Sequence, residues 1–210
     1  ILNKFISYLI FVPEMERLFQ ASPSYRRNFI DRLIFSSKNN YNSLINKYKK
    51  FLLERIKILQ KNVIDDHWLN QIERDISSLG LEIYQLRHSQ INFINNNLNI
   101  LKKDHDFQFN LKLQIKDQFF NENLSFEEYL SYLIKSRNHD NQFGGTKIGP
   151  HRSDIIAIIN NDFEASLLST GQQKTIVLMI LLAQCNYLVS YKNINPILLL
   201  DEIGSHLDSN

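Results

Sequence analysis

The 210-residue chain has a single cysteine, Cys185, which excludes an internal disulfide and fits a reducing cytosol. Leu181, Leu182 and Ala183 precede it and Tyr187 and Leu188 follow, the surroundings of a buried helical position with no neighbouring base to activate a thiol. No apolar run approaches the ~20 residues that span a bilayer, so no membrane partner and a cytoplasmic location are expected. The partly apolar start carries Lys4, and no small-residue cleavage site follows, which argues against a signal peptide. Glycine is scarce. The six stand at 80, 144, 145, 149, 171 and 204, and none belongs to the Gly-x-x-x-x-Gly-Lys-[Ser/Thr] loop that cradles nucleotide phosphates. Hydrophobic content of 43% and charged content of 22% are ordinary for a globular protein.

The net charge of +2 hides an asymmetry. Residues 1–105 hold 16 Lys and Arg against 10 Asp and Glu, a net of +6, whereas residues 106–210 hold 8 against 12, a net of −4. Between 26 and 61 ten basic side chains face only two acids, Asp31 and Glu54. A polyanion is therefore sought on the first half, with a solvated helix surface as the equal alternative.

Helical spacing dominates that first half. Ser22 and Pro23 open a helix whose apolar stripe is Phe29, Ile30, Leu33 and Ile34. A second runs from about Tyr41 through Leu44, Ile45, Tyr48, Phe51, Leu52, Ile56 and Leu59. After Asp65-Asp66 a third starts near Trp68. Its Leu69, Ile72, Ile76, Leu79, Ile83 and Leu86 alternate steps of three and four, the seam of a helix packed on another helix. The expectation is an all-helical lobe over 1–105 containing a helical hairpin. Gly80 weakens the third helix slightly.

From Asp106 the pattern changes. Phe107, Phe109, Leu111, Leu113 and Ile115 alternate with polar residues, as in a half-buried strand. Ser125 and Glu128 form a capping-box pair that starts a helix to about Arg137. Asn138 to Gly145 reads as loop. Ile155–Ile159 and Phe163–Leu167, separated by Asn160-Asn161-Asp162, read as a β-hairpin. An apolar helix follows from about Gln172 to Tyr191, then Ile197–Leu200, a run expected to be a strand buried on both faces. Residues 106–210 are thus α/β.

Two elements carry chemistry. The run Ile197-Leu198-Leu199-Leu200 ends in Asp201-Glu202, which places carboxylates at the edge of a sheet where α/β folds bind ligands. In P-loop nucleotide hydrolases the first such Asp holds Mg²⁺, and a following Glu can accept a proton from the attacking water; a strand ending in a polar turn is the plain alternative. Leu168-Ser169-Thr170-Gly171-Gln172-Gln173-Lys174 precedes the apolar helix, so Ser169, Gly171 and the first N–H groups lie at a positive helix end suited to phosphate. An ordinary N-cap explains Ser169 equally well in isolation. His206 stands alone, without partners at metal-ligand spacing, and is taken as a loop residue.

The order Ser-Thr-Gly-Gln, helix, strand, Asp-Glu, followed by Ser205-His206-Leu207-Asp208, resembles the signature, Walker B and D-loop series of ABC-class ATPases. Phe11-Val12-Pro13-Glu14, Ala21-Ser22-Pro23-Ser24-Tyr25-Arg26-Arg27-Asn28-Phe29-Ile30-Asp31 and Gly149-Pro150-His151-Arg152-Ser153-Asp154 resemble hallmark segments of the RecF family, with Ala21 where that family usually has Gly. The resemblance covers residues 11 to 208. It implies an α/β fold: a partial ABC-type P-loop ATPase head over 106–210 with an all-helical second lobe. The implied activity is binding DNA at single-strand gaps and junctions and helping RecO and RecR partners load RecA, with an ATP-dependent homodimer. Ser169, Gly171 and Gln172 would contact ATP in trans, Asp201 would serve Mg²⁺, Glu202 would be the catalytic base, and Ser205 and Asp208 would lie at the dimer contact. Arg26, Lys47, Lys50, Arg55 and Lys57 are the candidate DNA contacts, with Lys49 beside them. For His151 and Arg152, a place near nucleotide or dimer face and a structural hydrogen-bonding role both stand.

Two other readings compete: a non-enzymatic DNA-binding or scaffold module, and another ABC-class chromosome-maintenance ATPase. The phosphate loop is expected in a preceding segment. The purified 210-residue chain is accordingly expected to show no ATP turnover above background in a phosphate-release assay; measurable turnover overturns the expectation.

Overall fold

The structure, a computed structural model, describes residues 6–61, 65–105 and 110–202. Its strands are β1 (Ile6–Phe11), β2 (Leu111–Lys116), β3 (Asp154–Ile159), β4 (Phe163–Glu164) and β5 (Asn195–Leu200). Its helices are α1 (Pro23–Ser37), α2 (Tyr41–Leu59), α3 (Asp66–His105), α4 (Phe126–Lys135), α5 (Arg137–Phe143) and α6 (Thr170–Lys192). They form two compact units, each discontinuous in sequence. The first gathers described residues up to 39, within 88–116 and from 154 on; the second gathers those within 40–87 and 117–153.

In the first unit β1 and β5 pair in parallel, Ile6 opposite Asn195 through Phe11 opposite Leu200. The strand at β1 corrects the all-helical expectation for the first half: a six-residue apolar stretch is too short to declare its period, and pairing with β5 decides it. One face of this ribbon is covered, with Leu9 and Phe11 buried. The other carries Tyr8, Ile10, Ile197 and Leu199, all more than 40% exposed, so β5 is not buried on both faces as its apolar run suggested. Only β1 pairs with it among the described residues.

The second sheet has the order β2-β3-β4 and is antiparallel, with Leu111, Leu113, Ile155, Ala157 and Ile159 buried. Asn160 and Asn161 turn the chain at φ 53° and 60°, values that Asn tolerates better than most side chains. β4 is only two residues long, because the chain passes into a 3-10 turn at Ala165–Leu167. Phe107 and Phe109 of the expected strand lie outside the described residues.

Contrary to the expectation of no such run, helix α6 is long and apolar enough to cross a membrane by length and composition alone; 56% of that window is buried inside the protein. Gln184 in its middle is fully buried and fully engaged, donating to the Leu33 carbonyl at 3.0 Å and Ser36 Oγ at 2.9 Å and accepting from Gln90 at 2.7 Å. A polar group so paired is at home in a core.

The second unit is all-helical among the described residues. Tyr48, Ile58 and Leu59 of α2 share one core with Leu69, Ile72, Ile76 and Ile83 of α3, Tyr129 and Leu133 of α4, and Ile148. Asp65 caps α3 by accepting from the Trp68 N–H at 3.0 Å. The Ser125–Glu128 capping box of α4 forms in both directions. Residues Asn138 to Gly145, expected as loop, instead contain α5, which ends at Gly144 with φ 66°. The reason is tertiary. Asp140 is buried and accepts from Arg55 at 2.7 Å, from Ser136 Oγ at 2.6 Å and from the Lys147 N–H at 3.1 Å.

Arg55 anchors this unit. It has no exposed surface, and it donates to Glu73 at 2.9 Å, Asp140 at 2.7 Å, Thr146 Oγ1 at 3.0 Å and the Leu133 carbonyl at 2.7 Å. Arg137 reaches the same Glu73 at 2.5 Å, and that hydrogen bond raises the Arg137 pKa above its ordinary value. Gly80, which seemed only a weak point in α3, allows close packing: a Cβ there would lie 2.5 Å from Tyr129 Cε1.

Removing one partner of a buried ion pair costs about 3–5 kcal/mol because the others stay charged and dry. Arg55→Ala is therefore expected to lower the stability of the helical unit by about that amount. Urea unfolding followed by the fluorescence of Trp68, the sole tryptophan and a member of this unit, checks it; an unchanged midpoint would remove Arg55 from its anchoring role.

Candidate functional site

In the first unit a side chain from the start of α6, Lys174, reaches Glu202, just past the end of β5. Ser169 is the N-cap of α6: its Oγ accepts from the Gln172 N–H at 3.3 Å, and the Gln172 side chain accepts from the Ser169 N–H at 3.0 Å. Both side chains are exposed, Gly171 is half-buried, and the N-terminal end of a 23-residue helix lies beneath them. Such an end presents N–H groups and the positive pole of the helix dipole.

Asp201 and Glu202 follow β5 directly, and both are exposed. The Asp201 N–H donates to the Phe11 carbonyl at 3.1 Å, which extends the β1–β5 ladder by one rung. Glu202 has φ 49°, a left-handed conformation that costs a side-chain-bearing residue about 1–2 kcal/mol. An exposed carboxylate is a hard oxygen donor of the type Mg²⁺ prefers, so Asp201 fits that ion. No group of three His, Cys, Asp or Glu side chains able to hold a metal occurs among the described residues. Ser205, His206 and Asp208 lie outside them.

Two residues of the same helical turn were not singled out by sequence. Gln173, fully buried, donates to the Leu168 carbonyl at 2.9 Å, just ahead of the Ser169 cap. Lys174, also fully buried, pairs with Glu16 at 2.8 Å and donates to the Glu202 carbonyl at 3.3 Å. The available signal was a glutamine and a lysine directly behind the Ser169–Gln172 cap, at the head of a largely apolar helix.

The candidate nucleic-acid contacts divide. Lys47, Lys49, Lys50 and Lys57 are exposed along α2 in the second unit, with Lys47 Nζ 5.8 Å from the Phe51 ring centre. Arg55 is not a candidate: fully buried and paired, it reaches no outside ligand. Its place seven residues after Tyr48 and fourteen after Tyr41 puts it on the buried stripe of α2, a signal that charge counting overlooked. Arg26 is corrected likewise. In the first unit its guanidinium makes two 2.7 Å bonds to Asp154 and donates also to the carbonyls of Phe19 and Ala21. Arg26 and Asp154, both in the first unit, thus form a bidentate ion pair with side chains 12% and 20% exposed.

His151, in the second unit, has a structural place. Nε2 lies 2.8 Å from the Thr146 carbonyl, which can only accept, so Nε2 carries a proton, and in the neutral ring Nδ1 accepts from Tyr48 Oη at 2.9 Å. Tyr48 Oη and Tyr129 Oη are 3.1 Å apart. Burial raises the pKa of both phenols, so they act as neutral partners. Gly149, at φ 129°, leaves room for both hydroxyls where a Cβ would clash. Arg152 is exposed and donates from Nε to the same Thr146 carbonyl at 3.0 Å. Cys185 is half-buried, and burial raises its thiol pKa, which disfavours the reactive thiolate.

Comparison with known proteins adds a family. No family model matches the chain. It is 32% identical over 211 residues to the DNA replication and repair protein RecF of Rickettsia massiliae (strain Mtu5) and 33% identical over 211 residues to that of Rickettsia canadensis (strain McKiel). Each match covers 99% of this chain and 58% of the relative, so the chain spans somewhat more than half the length of the curated relatives it matches. Among solved structures it is similar to the recombination mediator protein RecF with ATP in the RecFOR pathway, at a TM-score of 0.83 and 25% identity, covering 97% of this chain and 56% of the other. The RecF-ATPrS structure gives 0.80 and 27%, covering 97% and 57%.

Proposed function

The chain belongs to the RecF family and has its ABC-type ATPase fold, and we propose that it supplies the signature helix, the acidic strand end and the DNA-facing lysines of a DNA-repair ATPase. One observation carries the reading. An exposed Ser169–Gln172 helix tip and an exposed Asp201–Glu202 strand end stand in one unit, tied to adjacent buried side chains of a single helical turn.

In this reading ATP joins two copies. Ser169, Gly171 and Gln172 of one copy donate to the γ-phosphate held by the other, where the exposed N-terminus of α6 favours anionic charge. Asp201 holds Mg²⁺, which neutralises phosphate charge when bound. Glu202 orients the attacking water and accepts its proton. The Ser169–Gln172 capping bonds open when phosphate takes the N–H groups, an exchange of partners confined to two exposed side chains. Ser205 and Asp208 complete the contact between copies. Single-stranded and gapped DNA bind the lysine face of α2, and RecO and RecR partners act with the protein to load RecA.

In the full-length protein, Ser169→Arg is expected to abolish ATP-dependent dimerisation in sedimentation velocity while leaving ATP binding within threefold of wild type. A variant that still dimerises with ATP overturns the trans arrangement.

The lysines are tested separately. Each phosphate contact removed lowers the slope of log K against log [salt] by about 0.7–0.9. Replacing Lys47, Lys50 and Lys57 together by Ala is expected to lower the slope by about 2–3, measured by fluorescence anisotropy with gapped DNA. An unchanged slope moves the DNA surface elsewhere.

A further inference from the structure

Residues 173 and 174 sit side by side in the first turns of α6, and neither is accessible to solvent. Gln173 grips the carbonyl of Leu168, which leads into the Ser169 cap. Lys174 points the other way, into a pocket made by the Phe11 ring, 5.9 Å from Nζ, the Glu16 carboxylate at 2.8 Å and the Glu202 carbonyl at 3.3 Å. Glu16 belongs to the 3-10 turn Pro13–Arg17 that immediately follows β1. Phe11 ends β1 and accepts from the Asp201 N–H.

Burying an ammonium group is strongly unfavourable unless it is paired. An apolar helix supplies no local reason for a lysine at this position. What the ammonium does is hold two things still: the turn after β1, through Glu16, and the left-handed residue 202, through its carbonyl. A residue at φ 49° persists only where its surroundings over-determine it. The Phe11–Asp201 rung fixes the residue before Glu202, and Lys174 fixes its carbonyl. Together they set the direction in which the Glu202 side chain leaves the strand.

We propose that Lys174, with Glu16 as its counter-ion, is a positioning residue for Glu202, and that the Gln173–Lys174 pair registers the phosphate-binding tip of α6 against the acidic end of β5. This rests on the reading of Glu202 as the base. Lys174 does not touch the reacting atoms. It makes the turn of α6 that carries the tip the same turn that holds the carboxylate end, so a displacement of either is transmitted to the other through one buried contact.

The test uses Lys174→Met and the double variant Glu16→Gln/Lys174→Met in the full-length protein; the double variant leaves no buried charge unpaired. Two quantities are read: hydrogen exchange at the Asp201 and Glu202 amides, and the separate values of kcat and KM for ATP. The expected result is exchange at Asp201 at least tenfold faster, unchanged protection over 176–188 in α6, kcat lowered at least tenfold and KM within threefold. Should the single variant lose protection along α6 as well, the double variant decides. Unchanged exchange at Asp201 overturns the proposal whatever the activity. Faster exchange with unchanged kcat overturns it too, because the strand end would then be held without consequence for the base. A wild-type protein without ATP turnover sinks the reading of Glu202 instead, and the exchange measurement alone then judges whether Lys174 holds the strand end.

Discussion

A cation removed from water must be met by fixed acceptors, and that constraint organises this protein. Arg26, Arg55 and Lys174 each lose most or all of their hydration. Each is answered by partners far away in sequence: Asp154 for the first, Glu73 and Asp140 for the second, Glu16 and the Glu202 carbonyl for the third. Such pairs add little net stability over an apolar core, but losing one partner is expensive, so they restrict which arrangement of helices and strands is tolerated. Arg87 follows the same rule with backbone, donating to the Pro150 carbonyl and reaching Ser153 Oγ at 3.3 Å.

The consequence at the candidate site is a division of labour along α6. Ser169 and Gln172, which satisfy each other, remain at the surface where an incoming anion can replace their bonds. Gln173 and Lys174, one step further, are committed to the interior. A helix start that is rigid below and open above limits what an incoming anion must displace to these two exposed capping bonds.

In the second unit the same logic separates structure from surface on one helix. Seven residues apart, Tyr41, Tyr48 and Arg55 face inward, while Lys47, Lys49, Lys50 and Lys57 face water. The basic count that first drew attention to residues 26–61 therefore mixes two populations. The guanidinium groups of Arg26 and Arg55 hold the protein together, and the lysines are left for an outside partner. This is the expected sorting, because a planar guanidinium can bind several fixed acceptors at once whereas an ammonium keeps its water more tightly.

Local patterns were enough to read much of this chain. Ser22, Ser125 and Ser169 marked three helix starts, the Leu69-to-Ile83 spacing marked the buried side of α3, and Asn160-Asn161 marked the hairpin turn. The same holds for the paired ends, Ser169–Gln172 and Asp201–Glu202, because capping and strand termination are decided within a few residues. What no local pattern carries is which distant group a buried charge will meet. Whether Asn138–Gly145 coils as α5 depended on Arg55 meeting Asp140, whether Ile6–Phe11 became a strand depended on β5, and the role of Lys174 depended on Glu16 and Glu202 arriving at the same point. Desolvation energy belongs to the assembled interior, and only the tertiary structure determines where that interior lies.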